Sequence, residues 1–195
     1  MPWPAQGDEA RDRGRSLYFF GLIGLILGGL LDTCDGIFAH RSPEQRLDIM
    51  RDSRSGAFAV AGGVLDLLLW WACSVDLTGE HHFAALLLMA TTARAGQVLA
   101  VSLFPYARPS GLGKDFHAST HGRWASLLNT VLVFGLGFGM LGRSGLIAGA
   151  AGLASAILTG MYLMTRLPGL TGDCYGAINE VAQIATLFAL VPMLS

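Results

Sequence analysis

The stretch Leu31–Gly56, LDTCDGIFAHRSPEQRLDIMRDSRSG, holds five carboxylates. Asp32 and Asp35 are three apart, so they share a face if the chain there is helical; Glu44, Asp48 and Asp52 follow at intervals of four and would stack on one face of a second helix. Adjacent carboxylates repel, and more strongly near a low-dielectric membrane boundary. A divalent cation among them removes that cost, and Mg²⁺ in particular takes a few carboxylates together with substrate phosphate and water. The competing reading is a solvated interfacial run neutralised by Arg46, Arg51 and Arg54. Asp-x-x-Asp-Gly at a helix end argues for the metal.

Two further groups could serve the same chemistry. Leu170–Glu180, LTGDCYGAINE, has Gly172 and Gly176 spaced for a tight turn whose amides face an anion, with Asp173 in the turn and Glu180 one turn into the last helix. A membrane-embedded carboxylate is a functional candidate; Asp173 alone also reads as a turn or cap residue. Pro105–Phe116, PYARPSGLGKDF, is a glycine-containing loop whose Arg108 and Lys114 could receive phosphate, or simply anchor the loop at the membrane face. Arg94 lies inside an apolar segment and needs a partner or water, with Asp66 the nearest candidate from the preceding span; a structural ion pair and a catalytic role both fit. His81, His82, His117 and His121 have no accompanying acids and are assigned no role.

The elements that must hold these groups are membrane helices. Hydrophobic residues make up 52% of 195 positions and charged residues 14%, against about 25% charged in soluble domains. The mean hydropathy is +0.50. Twenty-six glycines suit helices that approach closely in lipid. A net charge of −1 without a basic stripe excludes nucleic-acid binding. Cys34, Cys73 and Cys174 lack metal or redox spacing and read as free thiols. Six segments approach the ~20 apolar residues of a crossing: Ser16–Leu31, Gly56–Val75, Phe83–Pro105, Trp124–Leu141, Ser144–Met164 and Gly176–Leu194. The expectation is an all-α, polytopic transmembrane bundle of about six helices: a polar segment 1–15 without a cleavable signal peptide, then one membrane domain, 16–195. Arg41, Arg46, Arg51, Arg54, Arg108, Lys114, Arg123 and Arg166 put the His40, Tyr106 and Thr165 connections in the cytoplasm and the C-terminus outside. Arg11, Arg13 and Arg15 break this alternation if the first segment crosses once.

Asp32-Thr-Cys-Asp35-Gly36 followed by Arg51-Asp52-Ser53-Arg54 and Gly56 resembles the signature of the cobalamin synthase family, the adenosylcobinamide-GDP ribazoletransferases. Tyr106-Ala107-Arg108 with Gly111-Leu112-Gly113, and Thr171-Gly172-Asp173 with Gly176 and Glu180, continue the resemblance in order, covering about Arg15 to the end. It implies a transferase of cobalamin biosynthesis at the cytoplasmic face of the inner membrane. Such an enzyme moves adenosylcobinamide phosphate from adenosylcobinamide-GDP to α-ribazole or its 5′-phosphate and releases GMP. Asp32, Asp35, Asp48 and Asp52 would then be catalytic and hold Mg²⁺, which clamps the diphosphate. Arg51, Arg54, Arg94, Arg108, Lys114, Asp173 and Glu180 would bind substrate. A homo-oligomer is compatible with this.

One departure stands out. The family pattern has a longer lead-in ending in His-Leu-Asp-Gly, and here Ile26 and Gly28 occupy the positions of that His and Asp. The comparison implies a missing stretch of about 40 residues, roughly one crossing with its connection, which would also account for the broken charge alternation. Two other readings follow. A CDP-alcohol phosphotransferase shares the metal logic but needs a different Asp spacing, with Gly where Glu44 stands. A shortened, inactive relative would persist as a membrane binding or assembly protein. A transporter is disfavoured, because the acids cluster at the membrane edge and not at its midplane.

Overall fold

The computed structural model describes residues 27–52, 54–77, 79–107 and 122–194, the side chains of Glu80 and Arg123 excepted. Within them the helices are α1 (27–38), α2 (Pro43–Ile49), α3 (Ala57–Asp76), α4 (His82–Leu103), α5 (Gly122–Met164) and α6 (Gly172–Leu194). A 3-10 turn at Gly79–His81 joins α3 to α4. Helices α3 to α6 are each long and apolar enough to cross a membrane. The result is an all-α membrane bundle.

Helix α5 has 43 residues, about 65 Å if straight and twice the ~30 Å hydrocarbon core. It is in fact two crossings. Gly142 takes φ 58°, ψ −133°, a backbone state that glycine adopts without a Cβ penalty. A Cβ on Gly137 would meet the Gly145 carbonyl oxygen at 2.8 Å, so the halves fold back on each other. The expected spans Trp124–Leu141 and Ser144–Met164 are these two arms, and the expected turn at Gly142–Arg143 is their hinge.

Other boundaries moved. The first helix continues past Leu31 to residue 38, so Asp32 and Asp35 do lie on one helix. The last helix starts at Gly172 and not Gly176, because the Thr171 hydroxyl accepts the Cys174 N–H at 3.4 Å and caps the extra turn. Gly172 and Gly176 are therefore helical, and the expected tight turn is replaced by a helix N-terminus. Glu180 sits two turns into α6, deeper than expected. Residues Ser16–Ile26, and with them the charge-alternation question, lie outside the described residues.

Small residues set the packing, as expected where lipid and side chains are equally apolar. Helix α4 lies against α5 and α6: a Cβ on Gly96 would meet the Ala156 Cβ at 2.7 Å, and one on Gly152 would run into Thr186 and Thr92. One cluster of buried side chains, including Ile37, Met50, Leu163, Leu170, Tyr175 and Ile178, fills the end of the bundle where α6 begins. A second, including Leu77, Leu88, Val133, Leu187 and Leu190, fills the opposite end. Helix α3 buries little. Its Val64, Leu65, Leu67, Leu68 and Trp71 are exposed, which is a lipid-facing surface. It is held chiefly through α1 and α6: Gly62 lies against the Cys34 side chain, and Gly63 against Leu31.

Gly29 is the tightest point between α1 and α6, since a Cβ there would lie 2.8 Å from the Asp173 carbonyl oxygen and 3.2 Å from the Gly176 Cα; at Gly28 nothing described lies within 4 Å. Backbone cannot give way as a flexible side chain can. We expect Gly29→Val to lower stability by about 1–3 kcal/mol while Gly28→Val changes little, measured by thermal unfolding of the two proteins in the same detergent.

Candidate functional site

The first and third sequence motifs and the start of the second meet at one end of the bundle. Residues 105–107 pair with Leu170 as a short parallel bridge: Ala107 N–H donates to the Leu170 carbonyl, and Leu170 N–H to the Pro105 carbonyl, both at 2.8 Å. Gly169 permits this approach, because a Cβ there would lie 2.8 Å from the Ala107 nitrogen. Tyr106 stacks on Tyr175, ring centroids 6.4 Å apart. The bridge thus ties the start of the second motif to the first turn of α6, which carries the third. Gly29 brings α1 onto that same turn, so the helix bearing Asp32 and Asp35 stands beside Thr171, Gly172 and Asp173.

Asp35 has a specific task. Its Oδ2 accepts the Gly56 N–H at 2.5 Å and its Oδ1 the Ala59 N–H at 2.8 Å. Gly56 is the N-cap of α3 and has no side-chain cap of its own. The Asp35 carboxylate therefore satisfies two donors that the helix start leaves open, and its charge faces the positive end of the helix. Gly56 is needed for room: a Cβ there would sit 2.8–3.0 Å from the carboxylate atoms. Proximity in sequence does not reveal this link between residues 35 and 56.

The remaining acids do not gather as expected. Helix α2 is started by a Ser42–Gln45 capping box with Pro43 at its first position and stops at Ile49, so Asp52 lies beyond it and cannot stack with Glu44 and Asp48. Arg54 pairs with Asp52 at 2.8 Å, and its hydrogen bonds hold that carboxyl at about pKa 2, ionised at any working pH. Asp48 faces Arg51 at 3.7 Å, both well exposed. Arg46 donates to the Arg41 carbonyl. Among the described residues no three His, Cys, Asp or Glu side chains come together as metal ligands. Of the four acids expected to hold Mg²⁺, Asp35 accepts from backbone, Asp52 pairs with Arg54 and Asp48 faces Arg51, while Asp32 stands one turn before Asp35 on α1.

Asp32 is half-buried on α1, one turn before Asp35. Asp173 is in the first turn of α6 and accepts the Thr171 hydroxyl at 3.2 Å. The backbone at Gly172 is exposed, with nothing described within 4 Å of where its Cβ would be. Arg108 and Lys114 lie outside the described residues. Arg94 makes no ion pair with Asp66; its guanidinium donates to the Gln97 side chain at 3.1 Å. The first turn of α6 thus carries Asp173, and Gly29 sets the helix that bears Asp32 against it. The three cysteines are free, as expected.

The role of Asp35 is testable apart from activity. Asp35→Ala should cost about 1–2 kcal/mol of stability, Asp35→Asn less because one acceptor remains, and Gly56→Ala should reproduce the loss by displacing the carboxylate. Thermal unfolding in detergent reads all three; an unchanged Gly56→Ala protein would remove the cap.

Residues 27–191 match the family described as cobalamin-5-phosphate synthase. Curated relatives agree with the match. The adenosylcobinamide-GDP ribazoletransferase of Desulfitobacterium hafniense (strain Y51) is 35% identical over 180 residues, 88% of this chain and 69% of that protein. The protein of that name from Ralstonia nicotianae is 37% identical over 170 residues, 84% of this chain and 64% of the relative. That from Deinococcus radiodurans is 37% identical over 171 residues, 87% and 60%. The chain thus spans three fifths to about two thirds of these relatives. No solved structure is significantly similar to it. With three motifs in order along a membrane bundle, the chain belongs to the cobalamin-5-phosphate synthase family.

Proposed function

We propose that the chain transfers adenosylcobinamide phosphate from adenosylcobinamide-GDP to α-ribazole or its 5′-phosphate, releasing GMP. The observation that carries this reading is the pairing of residues 105–107 with Leu170 beside α1, which brings the start of the second family motif to the first and third. The reaction exchanges one phosphate ester for another. A ribose hydroxyl oxygen bonds to the phosphorus bearing the cobinamide arm, the bond from that phosphorus to the GMP oxygen breaks, and the hydroxyl proton leaves to a base. Such a reaction asks mostly for positioning and charge stabilisation.

The first turn of α6 is the proposed seat of the diphosphate, with its amides and helix dipole directed at the anion. Arg51, Arg54, Arg108 and Lys114 are proposed to add positive charge at the rim. Asp32, half-buried next to that turn, is the proposed acceptor of the hydroxyl proton; Asp173 is proposed to fix the Thr171 cap. Asp35 then acts through α3 as a positioning residue. Mg²⁺ is proposed to act with the diphosphate, drawing its ligands from phosphate, water and the acids of this face. The motif face is proposed to lie in the cytoplasm at the inner membrane, where Arg41, Arg46, Arg51, Arg54 and Arg166 favour it.

A non-catalytic relative is the second reading, favoured by the commitment of Asp35 and Asp52 to structural partners. Purified protein incubated with adenosylcobinamide-GDP, α-ribazole 5′-phosphate and Mg²⁺ separates the two. We expect GMP and cobalamin phosphate in equal amounts, a loss of about 10²–10⁴-fold in Asp32→Asn with unchanged thermal unfolding, and no product after chelation of Mg²⁺. Folded protein that releases no GMP would support the second reading.

A further inference from the structure

Below the motif face lies a second polar layer that the proposed chemistry does not use. Asp66 is nine residues into α3, Glu180 eight residues into α6, and Arg94 nine residues before the end of α4. All three helices present those ends at the motif face, so the three charges share one depth, roughly 12–14 Å below it at 1.5 Å per residue. Glu180 is within electrostatic reach of both Asp66 and Arg94. Asp66 and Glu180 are half-buried and Arg94 is exposed within the apolar part of α4.

The layer continues into the protein. Gln97 accepts from Arg94. Gln183 Nε2 donates to Asn179 Oδ1 at 2.9 Å and to Glu180 Oε2 at 3.2 Å. Asn179 is 1% exposed, and its Nδ2 has no hydrogen-bond partner among the described residues. An amide buried in this way, attached through Gln183 to a charged group, marks a place where a polar ligand or water completes the bonding. Three charges and three amides on α3, α4 and α6 are also a heavy polar load for hydrocarbon to face.

The composition of the layer selects its ligand. Phosphate only accepts hydrogen bonds and so gives the carboxylates of Asp66 and Glu180 no donor. A cation needs acceptors alone and is repelled by Arg94. An acyl chain satisfies neither. A primary carboxamide donates and accepts in the same plane, and suits carboxylate, guanidinium and side-chain amide together. Resting on the substrate assignment above, we propose that this polar layer seats the carboxamide-bearing rim of the cobinamide macrocycle, while its phosphate arm reaches up to the first turn of α6.

The test is equilibrium binding of dicyanocobinamide, which has the macrocycle but no nucleotide, to the full chain in detergent. Cobyrinic acid heptamethyl ester, which has esters in place of the amides, is the second probe. We expect cobinamide to bind and the ester to bind at least about tenfold more weakly, because it cannot donate. Arg94→Gln and Glu180→Gln should each weaken cobinamide about tenfold, with Asn179→Leu as a variant that removes the unpartnered amide without touching a charge. GDP binding, measured on the same samples, should not change, and reports that each variant is folded. Equal affinity for the two probes, or unchanged cobinamide affinity in all three folded variants, overturns the proposal even if wild-type protein releases GMP. Amide-sensitive binding that the variants abolish supports it even if wild-type protein releases none, in which case the transfer reading alone fails.

Discussion

Two backbone hydrogen bonds hold the candidate site together. In a helical membrane protein nearly all backbone groups are satisfied within single helices, so packing alone positions one helix end against another. Here the chain leaving α4 stays extended for three residues and bonds to Leu170, just before α6 begins. That fixes residues 105–107, which open the second motif, against a helix N-terminus in a way that sliding side chains could not. Tyr106 on Tyr175 and the bare backbone at Gly169 reinforce the same junction.

Around this junction the other elements take up defined tasks. Gly29 lets α1 touch the first turn of α6, and Asp35 reaches from α1 to the open N-terminus of α3. The site end is thus bonded across three helices, whereas a cluster of apolar side chains fills the opposite end. The exposed apolar face of α3 is a side that the bundle turns towards the bilayer.

Much of this was legible in the residues. Apolar run length gave five crossings from Gly56 onward, and Gly142–Arg143 announced the hinge between the two arms of α5. The ordered motifs named the family. What escaped was tertiary. Intervals of four suggested that Glu44, Asp48 and Asp52 stack, but a helix of seven residues ends before Asp52, and spacing does not say where a helix stops. Spacing also did not show that Asp35 caps α3, because the helix start it meets lies 21 residues further along the chain. The pairing of 105–107 with Leu170 left no periodic trace, since a three-residue strand is too short for one. Arg94 and Asp66 looked like partners by depth alone; rotation about the helix axes, which hydropathy does not encode, gave Arg94 to Gln97.

Amide hydrogen exchange at Ala107 and Leu170, on the whole protein in detergent, tests the central claim most directly. The account requires both N–H groups to exchange as slowly as those inside α4 and α6, and Gly169→Ala, whose Cβ would crowd the Ala107 nitrogen, to release both together. Exchange of both at open-loop rates in the unaltered protein would mean that the motifs do not meet, and the site described here would not exist.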